Sequence, residues 1–273
     1  WPPNGVDRGV QAAGVGRRAM QLATIVDRFD DRLDTAAYAD VDASANGLQV
    51  GPDDATIDRV AFAVDAAAAT IEAAADAGAD LLVTHHGLVW GGLDRVTGRE
   101  YDAVAALIEH DLALYVSHLP LDGHPELGNA AGLASYLDLG DTEPFGAIGP
   151  VTIGCRGRAA DPFGAGELRA RAAGLDTGGR EPQVLDFGPD EFIDVAIVTG
   201  SGADWLGEAA AAGVDALVTG EGKQQVYHEA HEAGVTVVLA GHYATETFGV
   251  ERLAEVADGW GVETAVVSHP TGL

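Results

Sequence analysis

Lysine is nearly absent from this chain. Lys223 is the single lysine among 273 residues, the other bases are arginines, and 43 acidic residues set a formal net charge of −28. A carboxylate-coated surface of this kind argues against nucleic acid as a partner, because affinity for nucleic acid rests largely on neutralising phosphates. It equally disfavours an anionic membrane. Scarce lysine with abundant acid, Ala and Gly points to a halophile's proteome, where repulsion between surface carboxylates is screened within roughly 3 Å at 1 M salt. Cysteine is as scarce: Cys155 stands alone, which excludes an internal disulfide framework and fits a reducing, cytoplasmic setting. No run of eighteen apolar residues occurs, so no transmembrane helix is expected. No Walker loop stands out, nor a Gly-x-Gly-x-x-Gly run opening a helix.

Methionine occurs once, at Met20. Residues 1–19 are locally basic and lack the apolar core of a signal peptide. They are expected to be an upstream leader. Residues 20–273 are expected to form one unit of two lobes, about 20–130 and 131–273. With 47% hydrophobic residues, a chain of this length can bury a sizeable core.

What is present is a repeated pattern. Residues 60–64 read as a strand, 66–77 as a helix ended by Gly78, and 81–84 as a second strand. A helix over 100–109 and a strand over 112–117 follow. Residues 195–222 repeat 60–87 at a constant offset, with Gly78/Gly213, Asp80/Asp215 and Leu82-Val83-Thr84/Leu217-Val218-Thr219 identical. Two related α/β lobes with mostly parallel sheets flanked by helices are expected. Ligands in such sheets bind outside the carboxyl ends of the strands. The Gly-rich stretch 141–188 has weak periodicity and is expected to open the second lobe with long loops.

The first lobe's second strand ends in His85-His86. Adjacent residues of an extended chain point to opposite sides, so one ion does not readily take both imidazoles, whereas two ions can take one each. His118 and Asp122 follow the next strand of the first lobe. His242 and Glu246 follow its counterpart in the second, the latter pair four apart on an expected helix over 244–257. The candidate ligand set is therefore His85, His86, Asp122, His242 and Glu246. Three imidazoles and two carboxylates suit Zn, Fe, Mn or Co better than Ca. Five ligands suit two ions with a bridging carboxylate, an arrangement that activates water between ions roughly 3.5–4 Å apart.

Other residues admit several readings. His118 can orient a ligand, contact substrate, handle protons or be structural. Glu221, at the repeat position of His86, can contact substrate or cap the next helix. His124 can orient Asp122 or sit in a surface loop. Gly200-Ser201-Gly202 can be a tight turn or an anion loop. Trp90 is a rim or core aromatic. His228 and His231 belong to a solvated helix face, and His110 to a helix end. Cys155 has no base partner and is not expected to be a nucleophile.

Four ordered motifs resemble the GTP cyclohydrolase I type 2 homologue family, also called the Nif-three-like proteins. They are Asn46-Gly47-Leu48-Gln49-Val50-Gly51, residues 84–90 (THHGLVW), residues 118–129 (HLPLDGHPELGN) and residues 241–246 (GHYATE). The resemblance runs from Met20 to the end of the chain. It implies a two-lobed α/β fold, a homohexameric ring and two divalent metals per subunit. The ligands it implies are the same five residues, with Glu246 able to bridge. The expected function is a metal-dependent hydrolase of a small substrate, GTP cyclohydrolase-like if the family's label holds, with His118 or Glu221 handling protons. The alternative is a non-enzymatic, metal-loaded scaffold or regulator.

Overall fold

The computed structural model describes residues 17–273. Of the expected leader, residues 1–16 lie outside the described residues. Arg18 donates its amide to Gly261 O at 2.8 Å, and Arg17 pairs with Glu263 at 2.7 Å.

The first half of the chain runs β1 (Met20–Gln21), α1 (Leu22–Leu33), β2 (Gly47–Val50), β3 (Thr56–Ile57), β4 (Arg59–Asp65), α2 (Ala68–Asp76), β5 (Leu81–His86), α3 (Arg99–Glu109), β6 (Ala113–Val116), α4 (Leu119–Gly123) and α5 (Asn129–Tyr136). The second runs β7 (Leu139–Ile148), β8 (Val151–Phe163), α6 (Ala165–Ala172), β9 (Gln183–Leu185), β10 (Phe192–Ile197), α7 (Leu206–Ala212), β11 (Ala216–Thr219), α8 (Gln225–Ala233), β12 (Thr236–Leu239), α9 (His242–Thr245), α10 (Thr247–Gly259) and β13 (Glu263–Val266).

The first sheet has the order β13-β4-β5-β6-β2, parallel except for β2. Its central strands β4, β5 and β6 are buried on both faces, as helix-covered parallel strands must be. Val60, Phe62 and Val64 face α1 and α10, while Ala61, Ala63 and Leu82 face α2 and α3. The second sheet has the order β7-β8-β10-β11-β12-β9. Its three central strands are parallel and the flanking pairs antiparallel.

The internal repeat is carried in the register. Val60 pairs with Leu81 in one sheet, and Val195 with Ala216 in the other. The identities have structural causes. Asp80 accepts the amides of Asp58 and Arg59, and Asp215 those of Ile193 and Asp194, so each carboxylate fixes the start of the preceding strand. Gly78 (φ +69°) and Gly213 (φ +70°) close their helices in the left-handed region, where a Cβ costs roughly 1–2 kcal/mol.

Three expectations need correction. Stretch 141–188 is not mainly loop: most of the long antiparallel hairpin β7–β8 falls there, joined to β10. Its outer strand is largely solvent-facing, which erased the hydrophobic signal. Gly154 lets β8 approach β10; a Cβ there would sit 2.3 Å from Ile197 O. The helix expected over 244–257 is two helices, α9 and α10, meeting at Glu246. Finally, the chain does not divide once near residue 130. α10 packs on β4 and β13 pairs with it, so the C-terminal segment returns to the first sheet.

Candidate metal centre

The strand ends of both sheets deliver their side chains to one cavity of ≈ 680 Å³. His85 and His86 close β5, Asp122 lies in α4, His242 opens α9, and Glu246 joins α9 to α10. All five expected ligands meet. One ligand atom each from His85, Asp122 and Glu246 lies within 4.8 Å of the others. The same holds for His86, His242 and Glu246, and for His85, His86 and His118. Glu246 is the member shared by the first two groups. Its Oε1 is 3.5 Å from His85 Nε2, and its Oε2 is 3.4 Å from His86 Nε2 and 3.2 Å from His242 Nε2.

Each imidazole is oriented from behind. His85 Nδ1 donates to Ser117 O at 3.0 Å, His86 Nδ1 to Asp65 Oδ1 at 2.8 Å and His118 Nδ1 to Asp42 Oδ1 at 2.8 Å. His242 Nδ1 lies 3.1 Å from Glu221 Oε1. A donating Nδ1 leaves Nε2 with a lone pair in the neutral ring. Asp122 is held in the same way: Asn129 Nδ2 and Thr199 Oγ1 donate to its Oδ1 at 2.9 and 3.0 Å.

His85 Nε2 and Glu246 Oε2 are buried and have no hydrogen-bond partner among the described residues. Leaving one such buried polar atom unsatisfied costs roughly 1–3 kcal/mol. A cation satisfies a nitrogen lone pair and a carboxylate oxygen together, so these groups could hold a metal ion. The charge balance agrees. Burial favours neutral His85, but the Asp122 and Glu246 carboxylates outweigh it and push its pKa up to about 9. Burial is likewise outweighed at His242, where Glu246 and Glu221 raise the pKa to about 9. Burial also favours the neutral acid at Glu246, yet His85, His242 and His86 hold it well below the usual carboxylate range. The centre thus attracts positive charge.

The motifs supply the frame. Asn46 Oδ1 accepts the His118 amide while its Nδ2 donates to Asp42 Oδ2. Gln49 Oε1 accepts the amides of Leu88 and Val89, fastening the loop that follows the histidine pair. Gly200 (φ +58°) leaves room for Glu246: a Cβ there would lie 2.2 Å from Oε1. Its amide donates to Thr245 Oγ1 and its carbonyl accepts the Gly220 and Glu221 amides; the chain bends at 200–201 and enters a short 3-10 turn at Gly202.

Several open readings resolve. Glu221 is not a helix cap, since α8 starts only at Gln225; its carboxylate takes the Ser201 hydroxyl at 2.6 Å and faces His242. His124 bonds Arg32 O and the amides of Glu126 and Leu127, not Asp122. Trp90 is a rim aromatic whose ring centroid lies 4.9 Å from that of His118. His228 and His231 are exposed, and His110 ends α3. Cys155 is buried, and burial pushes its thiol up to about 12. The likeness of His118 to His242 is one residue out of step: Ser117 and Ala240 occupy equivalent ladder positions, so His118 matches Gly241. Sequence reasoning missed Asp42, Asp65, Asn129 and Thr199. Only Asp65, a carboxylate ending a buried strand next to the histidine strand, carried a usable signal.

This arrangement has relatives among known proteins. A family model described as Duf34/NIF3 (NGG1p interacting factor 3) matches residues 20–271. A Halobacterium salinarum protein named GTP cyclohydrolase 1 type 2 homolog is 62% identical over 255 residues, 93% of this chain and 100% of that protein. An Archaeoglobus fulgidus protein of the same name is 38% identical, with the same coverage. Among solved structures, one from Thermus thermophilus superposes with a TM-score of 0.84 at 35% identity, covering 93% of this chain and 100% of that one. The structure of protein ybgI, described as of unknown function, gives 0.84 at 33% identity with the same coverage.

Proposed function

This chain belongs to the Duf34/NIF3 family, and from that premise we propose that it is a metal-dependent hydrolase of a small substrate, built on two divalent ions per chain. The observation that carries this is the pair of three-residue groups sharing Glu246, with His85 Nε2 and Glu246 Oε2 left without partners among the described residues. His85 and Asp122 would serve one ion, His86 and His242 the other, and Glu246 both. Zn, Fe and Mn all suit this nitrogen and oxygen set. Two such ions supply Lewis acidity and lower the pKa of water, the chemistry of metal-assisted hydrolysis.

The remaining roles belong to the chain's own residues. His118 joins His85 and His86 with Nδ1 anchored on Asp42, which leaves Nε2 to hold or deliver a proton. Glu221 steadies His242 and is itself fixed by Ser201; this position supports orientation of a ligand better than proton transfer. Val64, Leu119 and Ile153 dry the cavity wall beside these groups. We also propose a homohexameric ring. Exposed Tyr101 and Ile108 on α3, with Leu93 and Val96 before it, support burial against another copy.

Metal analysis and a substrate screen test the reading together. Two ions per chain are expected, with turnover by at least one of the Zn, Fe and Mn forms and its loss in His86→Ala. If no nucleotide, phosphodiester or cyclic amide is turned over and His86→Ala alters only stability, the hydrolase reading fails in favour of a metal-loaded scaffold.

A further inference from the structure

Past Val267 the chain leaves the first sheet. The Val267 amide donates to Phe62 O at 2.8 Å, and residues 268–273 then make no backbone–backbone hydrogen bond among the described residues. They run from the end of β13 to the second lobe's loop 176–180, where Ser268 Oγ donates to Asp176 Oδ2 at 3.3 Å. Gly178 (φ +64°) admits them: a Cβ there would lie 2.9 Å from the Gly272 nitrogen.

On the way this segment borders three cavities. Thr271 and Leu273 line the cavity over the centre, His269 and Thr271 a second that reaches His86, and Gly272 and Leu273 a third that reaches Glu221. All but Gly272 are exposed, so little apolar burial holds the segment in place. Stretches with few buried contacts and no backbone ladder open at the lowest free-energy cost in a fold.

One side chain latches it. Tyr243 Oη accepts the His269 amide at 2.9 Å and lies 3.4 Å from Ser268 Oγ. Tyr243 belongs to α9, between His242 and Glu246, and its ring is buried in the first lobe's core. Two candidate ligands therefore bracket the latch. An ion held by both His242 and Glu246 fixes the turn of backbone that carries them, and with it the direction of the tyrosine between them.

We propose that residues 268–273 form a closing strap over the metal centre, latched by the Tyr243 hydroxyl, and that ion loading and strap closure each favour the other. The proposal rests on the metal-centre part of the reading above and not on hydrolysis. Such coupling is reciprocal: whatever the ions add to closure, closure adds to retention of the ions. One hydrogen bond at the latch corresponds to about two- to tenfold in an equilibrium.

Amide exchange at His269, followed by NMR on metal-free and zinc-loaded protein, reads closure. Release of zinc to a chromogenic chelator reads retention. Loading should slow exchange at His269 by about two- to tenfold. Tyr243→Phe keeps the ring and every ligand, so it should still load zinc but release it faster by a similar factor. Ser268→Ala removes only the strap's own hydroxyl. It too should speed release, and less so in the Tyr243→Phe background, because both changes act through one latch. Equal exchange at His269 with and without zinc overturns the proposal, as does wild-type release from Tyr243→Phe. Metal analysis of the same samples separates the two readings. Protein that holds two ions under an indifferent strap sinks only the coupling. Protein that takes up no ion sinks the metal centre and the coupling together.

Discussion

Asp65 Oδ1 lies 2.8 Å from His86 Nδ1, and the two residues face each other across the β4–β5 ladder. The last rung of the first sheet therefore ends in a carboxylate–imidazole pair that aims Nε2 at Glu246. The same rung in the second lobe, offset through the repeat, holds Gly200 and Glu221. That Glu supports His242 instead.

Replacing Asp65 by Ala should weaken metal binding at the His86 side by about 10–100-fold while leaving the fold intact. Asp65→Asn, which keeps an oxygen acceptor for Nδ1–H, should lose less. A competition titration against a chelator reads both. Equal affinity in wild type and Asp65→Ala would remove the orienting role.

Gly200→Ala should abolish loading at Glu246. The new Cβ would meet Oε1 at 2.2 Å with φ at +58°, so the carboxylate must move. Elemental analysis should find fewer ions per chain, with circular dichroism unchanged. Full loading would show that Glu246 can bind from another position.

Metal-free protein should lose stability toward alkaline pH. His85 and His242 have folded pKa values of about 9 against an ordinary value near 6.5. Their contribution is complete below pH 6.5 and is lost as pH rises through 9. Glu246 is depressed, so its contribution is present above its ordinary value and is lost as pH falls below it. Thermal melts of stripped protein should therefore peak near pH 5–6.5 and decline toward pH 9. Zinc should remove the alkaline decline and release protons on binding. A flat profile for stripped protein would contradict this charge balance.

Asp80→Ala and Asp215→Ala should each lower stability by about 1–3 kcal/mol, because each leaves two amides at the start of a strand without an acceptor. Metal content should not change, since neither residue touches the centre. Denaturant melts with parallel metal analysis measure the two effects separately.

The repeat, the alternation of strands and helices and the five residues that converge on the cavity were legible in the residues themselves. Burial on both sheet faces demands continuous apolar runs such as 60–64, and ligand chemistry demands His, Asp or Glu at strand ends. Asp42 was not legible, because a carboxylate in a polar loop looks like any other acid in so acidic a chain. Its partnership with His118 depends on Asn46 and the Leu119 amide, which tie that loop to the segment after β6. The hairpin β7–β8 was hidden because its outer strand faces solvent and has no periodic burial to display.

Sequence by itself thus determined which side chains are available and that they end strands or follow them within a few residues. Tertiary structure decided which nitrogen of each imidazole faces the centre, that Glu221 supports rather than caps, and that the last strand returns to the first sheet. Those outcomes depend on hydrogen bonds between residues far apart in the chain, such as Asp42 to His118 and Thr199 to Asp122. Local pattern carries no record of such partners.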